Sequence, residues 1–249
     1  MLNKYEEKDF LKLKEVSTER LLPSNISVGL IGALFLSAAI NGVLLYAVMY
    51  SSYINNPIWD FVLPICISLF IIQSIITLFF FNQKRAFAYQ NFQSIFVCIV
   101  TFKVSVEGYI VYFAILEDRF APSYFGLFAI IFLVSGLMFL ILSILRAVKR
   151  VRDGHFRKGQ KGLLDFKDSK SYVSLPIIFG ATITGGAFMR MLSNSYHPLS
   201  SMLEIYFILS LMALLQFAIA VAWPEFFLLA YCKHRFKTFK ANPPKRIEM

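Results

Sequence analysis

An all-α integral membrane protein, a bundle of about six transmembrane helices with both termini cytoplasmic, is the fold this sequence predicts. Three observations lead there: an excess of apolar residues, a series of long apolar runs, and a basic charge that alternates from loop to loop. The 249 residues are 57% hydrophobic and 16% charged, with a mean hydropathy of +0.63. A soluble domain carries about a quarter charged residues. The surplus apolar surface, with 27 phenylalanines in it, has to face lipid.

The first 25 residues carry Lys4, Glu6, Glu7, Lys8, Asp9, Lys12 and Lys14. That is too polar for a cleavable signal peptide, so the first membrane helix is expected to serve as its own insertion signal. Phe10, Leu11, Leu13, Val16, Leu21 and Leu22 are interspersed with these charges. Such a cytoplasmic arm either lies as an amphipathic helix on the membrane surface or stays solvated.

A helical span needs about 20 mostly apolar residues. Six segments meet the requirement, near 26–50, 60–81, 94–116, 124–145, 172–194 and 201–232. Together they make a transmembrane domain over 26–232. The fifth is the most dilute, because Gly180, Thr182, Thr184, Gly185, Gly186 and Arg190 interrupt it; a re-entrant segment is its alternative.

Orientation follows from basic residues, which resist translocation near membrane ends. The arm has five, the 82–93 loop two, the 146–171 loop nine, and the 233–249 tail six. The intervening loops have none in 51–59, Arg119 in 117–123, and Arg190 at the margin of 190–200. Six crossings keep every basic segment on one side, whereas five would put the basic tail outside. The expected location is the plasma membrane as a multi-pass protein. The net charge of +10 thereby encodes topology, and nucleic acid is not an expected partner. Tyr50, Tyr53, Trp59, Tyr124, Tyr196 and Tyr206 fall near the outer ends, the depth that amphipathic rings favour.

Lys103 and Glu107 are the sharpest functional signal. They stand four residues apart near the middle of an apolar run, so they share one helix face. Charge at that depth is costly unless paired, neutralised or wet, which makes such residues candidates for a substrate or ion pathway; the competing reading is a pair that only fixes packing. Glu225, in Trp223-Pro224-Glu225, is a second intramembrane carboxylate. It either joins Lys103 and Glu107 on a path or reaches the inner interface and pairs with Lys233 or His234.

Gly29, Ala33, Ser37 and Asn41 recur every four residues and predict a ridge for close helix packing. Gly180, Gly185 and Gly186 are a comparable set in the fifth segment. Gln73 and Gln216 are expected to make interhelical hydrogen bonds. The cysteines, Cys66, Cys98 and Cys232, are too scattered for a disulfide framework or a zinc knuckle.

His155, His197 and His234 occupy different loops, and no nucleophile, metalloprotease or phosphate-binding motif occurs. No metal, cofactor or catalytic residue is expected, and the chain is read as non-enzymatic. A permease-like transport component or small transporter is the leading functional expectation. Its partners beyond the lipid bilayer would be a separate ATPase subunit, another membrane protein or a second copy of the chain. The alternative is a membrane interaction protein, such as a secretion-system accessory factor or a toxin-immunity protein.

Overall fold

The computed structural model describes residues 4–157, 159–160, 162–163, 185, 190 and 198–243. A 3-10 turn at Glu7–Phe10 leads into helix α1, Leu11–Thr18, and then into α2, Pro23–Tyr50. The next elements are α3, Trp59–Phe81; α4, Gln83–Ala88; and α5, Gln90–Asp118. Helix α6, Ser123–Arg152, α7, Pro198–Arg235, and a 3-10 turn at Lys237–Phe239 complete the order. No strand occurs among the described residues.

Five of these helices, α2, α3, α5, α6 and α7, are long and apolar enough to cross a membrane. They coincide with five of the six segments expected from sequence. The remaining segment, 172–194, with Gly180 and Gly186, lies outside the described residues; Gly185 and Arg190 within it are helical.

The limits of each helix have local causes. Pro23 stands in the first turn of α2, where its missing N–H has no helical partner to lose. Asn82 ends α3 and starts α4, its side chain accepting from the Lys84 amide at 3.0 Å. Helix α6 runs past its apolar stretch because Lys149, Arg150 and Arg152 sit in its last turn, where cations favour the helix dipole. Gly154, at φ +80, then supplies the left-handed residue that stops it. Pro224 lies inside α7 without ending it.

Side chains are distributed for lipid rather than for water. Phe35 and Phe61 are 73% and 72% exposed, while Ser37, Asn41, Gln73, Gln93 and Gln216 are buried. Helix α5 is the centre of the bundle and packs most extensively on α7 and α2, with α3 beyond α2 and α6 beyond α7.

Both described termini lie at one end, here termed proximal. Phe10 and Leu13 of the arm form one buried cluster with Val151, Phe156, Leu228, Cys232 and Phe239. The arm therefore packs on protein through its apolar side chains, rather than lying as an isolated surface helix. Lys12 N donates to Phe156 O at 2.8 Å. The Gln90 side chain brackets Ala241, donating to its carbonyl at 3.1 Å and accepting from its amide at 2.9 Å.

Candidate functional site

Lys103 and Glu107 lie on the buried flank of α5 that meets α2 and α3. Their ion pair is 2.6 Å, with side chains 16% and 4% exposed. Lys103 Nζ also donates to Gln73 Oε1 at 2.9 Å and to Ser37 Oγ at 3.2 Å. Ser37 Oγ donates to Glu107 Oε2 at 2.8 Å, and Asn41 Nδ2 donates to Glu107 Oε1. Three helices thus contribute five polar side chains to one network. Opposite charges and donors clustered in this way offset the desolvation that each charge would suffer alone.

The network is not saturated. Asn41 Oδ1, Gln73 Nε2 and, four residues further along α3, Thr77 Oγ1 are buried and have no hydrogen-bond partner. A buried polar atom without a partner costs about 1–3 kcal/mol. One unmet acceptor, one unmet amide donor and one hydroxyl provide the chemistry to receive water or a small polar solute.

Two clefts approach the network along the seam where α2, α5 and α7 meet. The proximal cleft, about 250 Å³, is lined by Asn25, Gly29 and Ala33 of α2, Val97 and Thr101 of α5, and Phe226 of α7. The distal cleft, about 500 Å³, is lined by Val43, Ala47 and Tyr50 of α2, Ile115 and Asp118 of α5, and Glu204 and Ile208 of α7. Between them the seam is shut. Val104 and Val111 are buried, and a Cβ at Gly108 would overlap Met212 Sδ. Arg119, at the distal end, holds both Glu204 oxygens at 3.2 Å.

These positions revise three expectations. The ridge Gly29, Ala33, Ser37 and Asn41 is not a continuous packing edge: a Cβ on Gly29 would have nothing within 4 Å, and Ser37 and Asn41 are ligands of Glu107. Glu225 does not pair with Lys233 or His234; Arg20, brought in by the turn after α1, donates to it. Although α5 and α7 are neighbours, Glu225 pairs with Arg20, which lines the proximal cleft, whereas Lys103 and Glu107 face α2 and α3, so the three form no single cluster. Gln216 bridges helices as expected, accepting from Tyr109 Oη at 2.8 Å and donating to Leu133 O at 3.1 Å.

Sequence reasoning passed over Thr77 and Glu117. Thr77 follows Gln73 by one turn, a polar i,i+4 pair in an apolar helix that could have marked the α3 face of the network. Glu117 accepts from the Asn55 and Asn56 amides at 3.0 and 2.9 Å and from Trp59 Nε1 at 2.7 Å. It thereby ties the α2–α3 loop to α5. Among the described residues, no group of three or more His, Cys, Asp or Glu side chains is placed to hold a metal ion.

No protein-family model, curated protein or solved structure matches this chain.

Proposed function

We propose that this chain is a non-enzymatic transport component of the plasma membrane. In this reading it crosses the bilayer six times with both termini cytoplasmic, and the α2–α5–α7 seam is its closed pathway. The observation that carries the reading is the position of the Lys103–Glu107 network along α2 and α5, between a cleft that ends at Ala33 and Thr101 and one that begins at Val43 and Ile115. A two-sided cleft interrupted at the middle is what a gated path requires, and intramembrane charges commonly mark such paths.

The connectivity supports the six crossings. The chain is at the proximal end at Leu163, a partner of the Phe10 cluster, and at the distal end at Glu204, the partner of Arg119. The energy source would be an ion gradient or a separate ATPase subunit. In the interaction-protein reading, polar residues would present themselves to another protein. Lys103 and Glu107 instead turn toward α2 and α3 of their own chain.

Side-specific thiol labelling tests the proposal. Cys66, Cys98 and Cys232 are buried and can be removed to give a clean background. Ala33→Cys should react with an impermeant reagent from the cytoplasmic side and Ala47→Cys from the external side. Ser37→Cys should react only in energised membranes, when the seam opens. Ala33→Cys and Ala47→Cys closed to both sides under all conditions would reject the path; reactivity of both from one side would reject the two clefts.

A further inference from the structure

We propose that the groove between α6 and α7 at the proximal end binds an acidic phospholipid of one leaflet. Phe139, Leu142, Val221 and Pro224 form its apolar wall, Arg146 and Arg150 form its basic end, and its volume is about 340 Å³. Among the described residues, no acidic side chain lines it. This arrangement is independent of the α2–α5–α7 seam, although it rests on α6 and α7 crossing a bilayer.

The dimensions fit one lipid molecule's share of the membrane. Phe139 and Arg150 are eleven residues apart, about 16 Å along a helix, and half of the hydrocarbon core is about 15 Å. The acyl chains would therefore lie on the apolar wall while the phosphate meets the guanidiniums at the interface. Basic pockets between membrane helices on the cytoplasmic side are suited to anionic headgroups, and guanidinium offers a planar fork for phosphate oxygens.

The two arginines are prepared differently. Arg150 Nη1 donates to the carbonyls of Leu163 at 2.8 Å and Gly162 at 3.3 Å, so the loop after α6 orients its guanidinium at the groove mouth. Arg146, one turn earlier, is exposed and makes no hydrogen bond or ion pair among the described residues. Its charge is left for a ligand. Lys149 and Arg152 in the same turn raise the local positive potential further, while Asp153, next after Arg152, pairs with it at 3.6 Å.

Tryptophan fluorescence provides the readout, because Trp223 is the chain neighbour of Pro224 on the groove wall. The full-length protein is placed in vesicles of phosphatidylcholine doped with brominated phosphatidylglycerol or, at equal fraction, brominated phosphatidylcholine. Trp59 lies at the distal end, so its contribution cancels when proteins are compared. Wild type should favour the acidic quencher about fivefold for each guanidinium engaged. Arg146→Gln should lose that share of the preference, Arg146→Lys should retain much of it, and Arg146→Glu should lose still more. Equal quenching by both lipids in wild type would overturn the proposal. A preference unchanged in Arg146→Gln and Arg146→Glu would also overturn it, by assigning the effect to the overall charge of the protein. Failure to incorporate into either vesicle would instead remove the membrane reading beneath it.

Discussion

Removing one partner of the Lys103–Glu107 pair should harm the protein far more than removing both. Lys103→Met leaves a carboxylate 4% exposed, supported only by the neutral donors Ser37 and Asn41. Breaking a buried pair on one side costs about 3–5 kcal/mol. For a chain of this size, each kcal/mol lowers the unfolding midpoint by about 2–4 °C, so a fall of roughly 6–20 °C is expected in detergent or vesicles. Glu107→Gln should fall at the mild end of that range. The ammonium it strands keeps Gln73 and Ser37 as acceptors, and at 16% exposure it has some access to polar surroundings. The double variant removes both charges and should recover to within about 1.5 kcal/mol of wild type, giving a coupling of at least about 4.5 kcal/mol in the double-mutant cycle. A cellular transport phenotype read in parallel separates the two roles of the pair. A pathway predicts that stability returns in the double variant while activity does not; a packing device predicts that both return. Additive single effects, with no recovery in either readout, would refute the interaction and with it the choice of site.

Gly136→Ala should cost about 1–3 kcal/mol, because the new methyl would overlap the Gln216 amide and displace it from Tyr109 and Leu133. Gly29→Ala, with nothing within 4 Å, should be neutral or stabilise by up to about 1 kcal/mol, and thermal denaturation of the two variants compares them directly. At the Arg20–Glu225 pair the asymmetry should run the other way from a surface bridge. Arg20→Met strands a carboxylate 8% exposed, whereas Glu225→Gln leaves a guanidinium that is 35% exposed and keeps a further contact, so Arg20→Met should lower the midpoint more. Glu7 accepts from Thr238 and Lys14, which hold its carboxyl below its ordinary value of 4.5. A lowered folded-state pKa means that this contact contributes above the ordinary value and is lost as pH falls through the lowered one. Proteolysis of the arm should therefore accelerate in acid, and Glu7→Gln should remove that acceleration.

The helices were legible because hydrocarbon thickness imposes a run of about 20 apolar residues, and α2, α3, α5, α6 and α7 all meet it. The separation of α4 from its neighbours was not, since it depends on the Asn82 cap after α3 and on a break at Tyr89 before α5. Within the site, the i,i+4 spacing of Lys103 and Glu107 marked the pair, yet its ligands were assigned elsewhere. Ser37 and Asn41 read as a packing ridge because, in a membrane helix, lipid-facing and buried faces are both apolar and one helix alone does not reveal which neighbour it meets. Glu225 was paired with its sequence neighbours because its partner, Arg20, is 205 residues away. The arm presented the same difficulty. An amphipathic pattern such as Phe10, Leu13 and Val16 serves a bilayer surface or a protein groove equally well, and the groove is built by residues that come more than a hundred positions later.

That last separation sets an order of events during synthesis. Phe10 and Leu13 leave the ribosome early, Val151 and Phe156 follow, and Leu228, Cys232 and Phe239, which complete their burial, come more than two hundred positions later. The arm has only part of its native cover, from Val151 and Phe156, until the stretch from Leu228 to Phe239 arrives. Docking of the arm is thus completed late: a chain stopped before Leu228 leaves Phe10 and Leu13 only partly covered. Such a partly covered apolar patch is the kind of surface by which quality-control systems recognise unfinished proteins. The clasp between the arm and α7 works as a late mark, set only once the chain has passed Phe239.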